Sequence, residues 1–205
     1  MPEHSFHTLQ GPAEGIYKEK GSKFLSFAYP VSSEMDIKEK IETLRKIYFD
    51  ARHHCFAWML GADRNKFRSF DDGEPSHSAG DPILNQIRSR GVTNVLIVVV
   101  RYFGGVKLGV SGLISAYKMA AQDALNNAVI VEKLVTAILN LTFEYRTTSE
   151  IMRAIKDFNL EIVAHEFGAG TSIKLSIPLQ QKEKLLQRLE LIKAKGNAVD
   201  WEIES

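Results

Sequence analysis

The stretch that most limits how this chain can fold is "NVLIVVV", residues 94–100, followed at once by "RYFGGVKLGVSG", residues 101–112. The first run is rich in β-branched residues and apolar at successive positions, so both faces of its strand need cover. It belongs in the middle of a sheet. The second run holds four glycines in twelve residues and leads into "SGLISAYKMAAQDALNNA". There Leu113, Tyr117, Ala120 and Ala124 fall on one helical stripe. A strand, a glycine-rich turn and a helix start present free backbone N–H groups and the positive end of a helix to an anion. Arg101 and Lys107 add charge. The pattern is neither a P-loop, because no Gly-Lys-Ser/Thr closes it, nor a GxGxxG turn. The same glycines can equally serve only to allow positive φ and close strand–helix packing.

Two alternating runs around Gly21 and Ser22 predict a β-hairpin, with Leu25, Phe27, Tyr29 and Val31 on one face. Residues 32–49 have helical period, with Ile37, Ile41, Leu44 and Tyr48 on one stripe and Ser33 and Asp36 as an approximate capping box. "ARHHCFAWMLG" returns to strand character, and residues 62–81 read as a long loop of a kind that is usually functional or disordered. "DPILNQIRSRG" predicts a short helix with Asp81 as N-cap, Pro82 at the first helical position and Gly91 as its stop. Residues 1–14 read as a polar arm. From about Val131 the pattern becomes regular: strand, helix, two strands around Gly168 and Gly170, helix, strand. This βαββαβ order in roughly 70 residues is the ferredoxin-like unit. The fold class is therefore α+β, in two domains at 1–134 and 135–205.

The chain has 205 residues and a formal net charge of +1, so global charge points to no partner and any signal is local. One cysteine, Cys55, excludes an intrachain disulfide and fits a reducing compartment. The first residues lack a basic segment followed by an apolar one, so no secretory signal is expected. The longest apolar run falls far short of the roughly 20 residues that span a bilayer. A cytoplasmic protein without membrane association is the expectation.

The local charge is uneven. Residues 82–122 carry Arg88, Arg90, Arg101, Lys107 and Lys118 and no acid, whereas residues 70–81 carry Asp71, Asp72, Glu74 and Asp81 and no lysine or arginine. Within "SFDDGEPSHSAG", Asp71, Asp72 and Glu74 suit a hard cation or general acid–base chemistry. They also suit a rigid turn whose carboxylates are satisfied by backbone N–H groups and nearby arginines. Their spacing matches no metal-ligand motif, and no cofactor is implied. His53 and His54 are neighbours in a strand and point to opposite faces, so they cannot chelate one ion together. His54 joins the three acids as a candidate acid or base. Cys55 beside the histidines reads as a small buried hydrophobe before it reads as a nucleophile. A Ser76–His77 dyad lacks an orienting third group.

"ARHHCFAW", "DDGEPSHSAGDPIL" and "NVLIVVVRYFGGVKLGVSGLISAY", in that order, resemble the signature of the YigZ/IMPACT family, most specifically in the "VVRYFGGxKLGxxGL" string. The resemblance covers residues 15–130, and the last third matches the second domain of bacterial members in position and length. It implies a left-handed βαβ fold in the first domain, like that of a domain of a small-subunit ribosomal protein (ribosomal protein five, domain 2), domain IV of elongation factor G and certain small-molecule kinases. It implies a likeness of the second domain to domain V of elongation factor G. Eukaryotic members regulate translation by competing for the activator of a kinase, using an added N-terminal domain. With about 14 residues before its first strand, this chain is expected to lack that domain. It also departs from the family pattern. His77 and Ser78 stand where relatives carry a Gly-Thr pair, Asp81 where lysine is common, Ser111 for a glycine and Ser115 for an arginine.

Three functions follow as expectations. The first is a nucleic-acid- or ribosome-associated protein in translation regulation, with Arg101, Tyr102, Gly104, Gly105, Lys107, Gly109 and Lys118 facing RNA phosphate. The second is an enzyme acting on a phosphorylated small molecule or nucleotide. The third is a protein-interaction module that binds a partner through the second domain. If "DDGEPS" folds over "RYFGGVKLG" into a shared concave pocket, small-molecule chemistry gains; an open basic face favours RNA.

Overall fold

The computed structural model describes residues 4–167 and 171–204. Its elements, in chain order, are β1 (Ser5–Leu9), β2 (Ala13–Glu19), β3 (Ser22–Pro30), α1 (Glu34–Ile47), β4 (His53–Leu60), β5 (Lys66–Phe70), α2 (Gly80–Arg90), β6 (Val95–Tyr102), α3 (Gly109–Asn127), β7 (Ile130–Leu134), β8 (Thr136–Phe143), α4 (Thr148–Asp157), β9 (Glu161–Phe167), β10 (Thr171–Pro178), α5 (Lys182–Ala194) and β11 (Val199–Ile203). The chain divides between Lys133 and Leu134 into two compact units.

The first unit is built on a five-stranded sheet of order β2-β3-β6-β4-β5, with every neighbouring pair antiparallel. The apolar run forms β6 at its centre. Leu96, Val98 and Val100 enter a core with Ile37 and Leu44 of α1. Val95, Ile97 and Val99 enter a second core with Ile83 and Ile87 of α2 and Leu113, Tyr117 and Ala120 of α3. Two cores on one strand are what a run apolar at every position requires. β3 and β4 both run antiparallel to β6, so β3, α1 and β4 make a βαβ unit split by a central strand.

Several local features match the sequence. Ser33 caps α1, its Oγ accepting from the Asp36 N–H at 3.1 Å. Gly91 closes α2 in the left-handed region at φ 69°. The polar arm, however, is a strand. β1 pairs with β7, and the Thr93 N–H donates to the His7 carbonyl at 2.9 Å. A partner some 120 residues away leaves no local pattern to read. The expected loop at 62–81 contains β5, whose "KFRSF" sequence is mostly exposed. Basic residues on an edge strand discourage pairing with other chains and hide the strand from a hydrophobic reading. Asp81 is not the N-cap of α2. That helix starts at Gly80 behind Ala79 without a capping side chain of its own, because Asp71 reaches in from outside.

The second unit is a four-stranded sheet of order β11-β8-β10-β9, antiparallel throughout. Leu139, Leu141, Ile173 and Leu175 from the strands meet Ile151 of α4 and Leu185, Leu189 and Ile192 of α5 in one core. The βαββαβ order of the ferredoxin-like unit is present. The turn expected around Gly168 and Gly170 lies outside the described residues. Among the described residues, no helix is long and apolar enough to cross a membrane.

Candidate functional site

The end of β6, the start of β4 and the start of α3 converge on one cleft of about 820 Å³. Its lining includes Arg52 and His53 before and at the start of β4, Glu74 and Pro75 of the acidic turn, Arg101 to Phe103, and Lys107 to Val110. The acidic turn and the glycine loop therefore share one concavity.

The turn is held by its own carboxylates. Asp71 Oδ1 accepts from the N–H groups of Ala79 (3.0 Å) and Gly80 (2.8 Å), and Oδ2 from that of His77 (2.8 Å). It thus caps α2 from eight residues upstream. Asp72 accepts from the His54 N–H at 2.7 Å and from Arg45 at 2.8 Å. Glu74, whose side chain is only 4% exposed, accepts from Arg101 Nη1 at 2.6 Å and from the Tyr117 hydroxyl at 2.8 Å. Cys55 Sγ lies 3.0 Å from the Asp71 carbonyl oxygen and 3.3 Å from the Tyr117 hydroxyl. Burial pushes the Cys55 thiol and the Tyr117 phenol well above their ordinary values, so neither ionises near neutral pH. Among the described residues no group of three or more His, Cys, Asp or Glu is placed to hold a metal ion.

The two histidines separate as strand geometry demands. His53 faces the turn, its Nδ1 2.9 Å from the Asp72 carbonyl oxygen, and lines the cleft. His54 is buried, and that burial, with Arg45 nearby, holds its pKa below the ordinary value. Of the two, His53 is the residue that borders the site. His77 sits at φ 64°, a left-handed conformation that favours glycine. That is the position where the family resemblance implies glycine. Its ring nitrogen Nδ1 pairs with Asp81 at 2.6 Å, which raises its pKa, while Asp81 is held low mainly by the Ser69 hydroxyl.

On the loop side the residues have distinct roles. Arg101 is 8% exposed, and its guanidinium lies over the rings of Phe24 and Phe103. Its Nε is buried without a hydrogen-bond partner among the described residues. Gly104 packs against the β2–β3 turn, and a Cβ there would lie 1.9 Å from the Gly21 carbonyl carbon. Gly105 and Gly109 take positive φ of 87° and 72°. Glycine-loop packing therefore explains Gly104, and backbone conformation explains Gly105 and Gly109. The first turn of α3 has no side-chain cap and no acid, and Lys107, Leu108, Gly109 and Val110 bring it to the cleft wall. Lys107 and Arg52 form no ion pair among the described residues. Lys118, Ser111 and Ser115 are exposed on α3 and line no part of the cleft. Tyr102 donates to Asp50 at 2.7 Å, which pushes its pKa up to about 12. Arg52 and His53 line the cleft although the sequence singles out neither as a site residue; both lie within the "ARHHCFAW" string. Tyr117, which the sequence places on a core stripe, is fully buried and reaches the site only through Glu74.

Residues 20–125 match the family model described as the Impact N-terminal domain, which spans every residue of the cleft. The chain is 29% identical over 180 residues to the IMPACT family member YvyE of Bacillus subtilis, covering 88% of this chain and 82% of that protein. It is 31% identical over 169 residues to the IMPACT family member YigZ of Escherichia coli, covering 82% and 83%. Among solved structures, the crystal structure of a hypothetical protein superposes with a TM-score of 0.76 at 28% identity, covering 96% of this chain and 97% of that one.

Proposed function

The chain belongs to the IMPACT family, and on that premise we propose that its first unit binds nucleic-acid phosphate in the cleft between the glycine loop and the acidic turn, in the translational context that the family resemblance implies. The observation that carries this reading is the uncapped start of α3 beside Lys107 and Arg52, with no acid in the first helical turn. Free N–H groups and the helix dipole supply an anion site, and the two unpaired cations add long-range attraction. Arg101 contributes less net charge than its identity suggests, because Glu74 neutralises it. Phe103, 58% exposed at the rim, offers a stacking surface for an unpaired base.

The shared concavity is the arrangement that the sequence criterion assigns to small-molecule chemistry, and it supports a second reading, a phosphorylated small molecule held in the same place. Acid–base or metal chemistry on such a molecule draws little support, because Asp71 and Asp72 are engaged in holding the turn and Glu74 is paired with Arg101 and Tyr117. The two readings separate in solution. Single-stranded RNA should bind the full chain with an affinity that falls steeply with salt, and Lys107→Ala should weaken it. If nucleoside mono- or diphosphates raise the melting temperature while RNA does not bind at low salt, the small-molecule reading replaces this one.

A further inference from the structure

The β2–β3 hairpin carries a feature that neither the cleft nor the packing explains. Lys18 and Lys23 are directly opposed cross-strand partners, and Lys23 is in turn the partner of Tyr102 on β6. Alternation places all three side chains on the same sheet face. Like charges directly opposite one another in a sheet are destabilising. Lys18, Lys20 and Lys23 are exposed and make no ion pair among the described residues. The nearest acid in sequence, Glu19, sits on the opposite face and accepts from the Tyr17 hydroxyl at 3.0 Å. Lys20 stands in the turn at φ 46°, and the following Gly21 touches Gly104 of the glycine loop. The row continues to Arg52, which directly precedes the His53–Arg101 pair. Four adjacent strands at about 4.8 Å spacing put roughly 14 Å between the ends of this row.

A basic row of that length is longer than one phosphate group. It matches a ligand whose negative charge repeats at intervals. The row also passes the ring of Tyr102, and Phe103, exposed at the cleft rim, offers a face that can stack only on bases that are unpaired. We infer that the hairpin extends the cleft into a tract for single-stranded nucleic acid, in which Lys18, Lys20 and Lys23 take the phosphates that follow the one held at Lys107 and the start of α3. The row lies on the sheet face that α1 covers, opposite to α3, and it meets the cleft at Tyr102 and Arg52, which line it. This inference rests on the phosphate-binding reading of the cleft and names the ligand class of that site.

The test uses the full chain, a triple variant (Lys18→Ser, Lys20→Ser, Lys23→Ser) and Lys107→Ala, with melting curves to confirm that each is folded. Fluorescence anisotropy would follow binding of labelled single-stranded RNA of about 4 and about 12 nucleotides and of a duplex of similar length. The triple variant should lose roughly tenfold or more in affinity for the longer strand. The slope of log K against log salt should shrink by about 2, at about 0.7 per single-strand phosphate contact. The short strand should be little affected. If Lys107→Ala weakens binding but the triple variant leaves affinity and slope for the longer strand unchanged, the tract is overturned and the cleft reading stands. A stronger preference for duplex overturns the choice of a single strand. If the unmodified chain binds no RNA at low salt, the cleft reading itself fails, and the tract with it.

Discussion

The two units solve the same problem, covering a sheet with helices, with different materials. In the second unit the core is built almost wholly from aliphatic side chains, and its ion pairs, such as Lys193–Asp200 and Lys174–Glu204, lie at the surface. Among the described residues, Thr147 is its one buried polar side chain, whereas the first unit buries Ser22, Ser26, His54, Ser78, Arg101 and others. Ser22, His54, Ser78 and Arg101 lie toward one end of the sheet, where Cys55, Tyr117, Glu74 and Arg101 connect the α3 core to the cleft, whereas Thr8 and Thr93 lie at the other end. Buried polar groups are costly unless fully partnered. On the proposed function, the polar network beside the cleft is where the first unit would build its specificity. The second unit shows what the chain looks like when packing alone decides.

Removing one member of that network should produce the largest effect. Arg101→Ala leaves the Glu74 carboxylate buried without its cation, and chemical denaturation should show a loss of about 3–5 kcal/mol in the first unit. In the second unit, Leu139→Ala should cost about 2–5 kcal/mol through cavity formation, while leaving RNA affinity unchanged. If Leu139→Ala weakened RNA binding as much as Lys107→Ala, the division of labour between the units would be wrong. Gly104→Ala is next. Its Cβ would meet the backbone of Gly21 and Ser22, so hairpin and loop must separate, at about 1–3 kcal/mol. Affinity for the longer RNA should fall more than affinity for the shorter one.

The smallest effect is a pH dependence. His54 is held below its ordinary value, so the unfolded chain binds more protons there than the folded chain. Stability from this group therefore falls as pH drops below about 6.5, the unfolded value, until the folded value is passed. His77 acts with the opposite sign. Its raised pKa gives stability that is complete below about 6.5 and is lost as pH rises through the folded value. Melting temperatures between pH 5 and 8 should show a shallower acid-side decline for His54→Gln than for the unmodified chain, and a steeper one for His77→Ala.

The sequence disclosed the elements whose cause is local. Alternation in β3, the stripe of α1 and the doubly apolar run of β6 each follow from neighbouring residues. The βαββαβ order of the second unit was legible for the same reason. What stayed hidden depends on distant partners. β1 needs β7, the start of α2 needs Asp71, and β5 is an exposed edge strand whose basic residues mimic a loop. At the site, the acidic turn was legible as a network of satisfied carboxylates, but the pairing of Glu74 with Arg101 was not, since 27 residues separate them. That pairing changes the chemistry most, because it turns the most prominent cation of the loop into half of a buried ion pair. The hairpin lysines carry no motif, and only the register that opposes Lys18 to Lys23 gives them meaning.

The proposed function requires that phosphate be held at the start of α3. Amide chemical shifts of the full chain, recorded while single-stranded RNA is added at low salt, test it directly. The largest changes should fall on the N–H groups of Lys107 to Ser111, with smaller ones along residues 18–23, and should vanish as salt is raised. Changes confined to residues 134–204, or none at residues 107–111 with RNA bound, would contradict it.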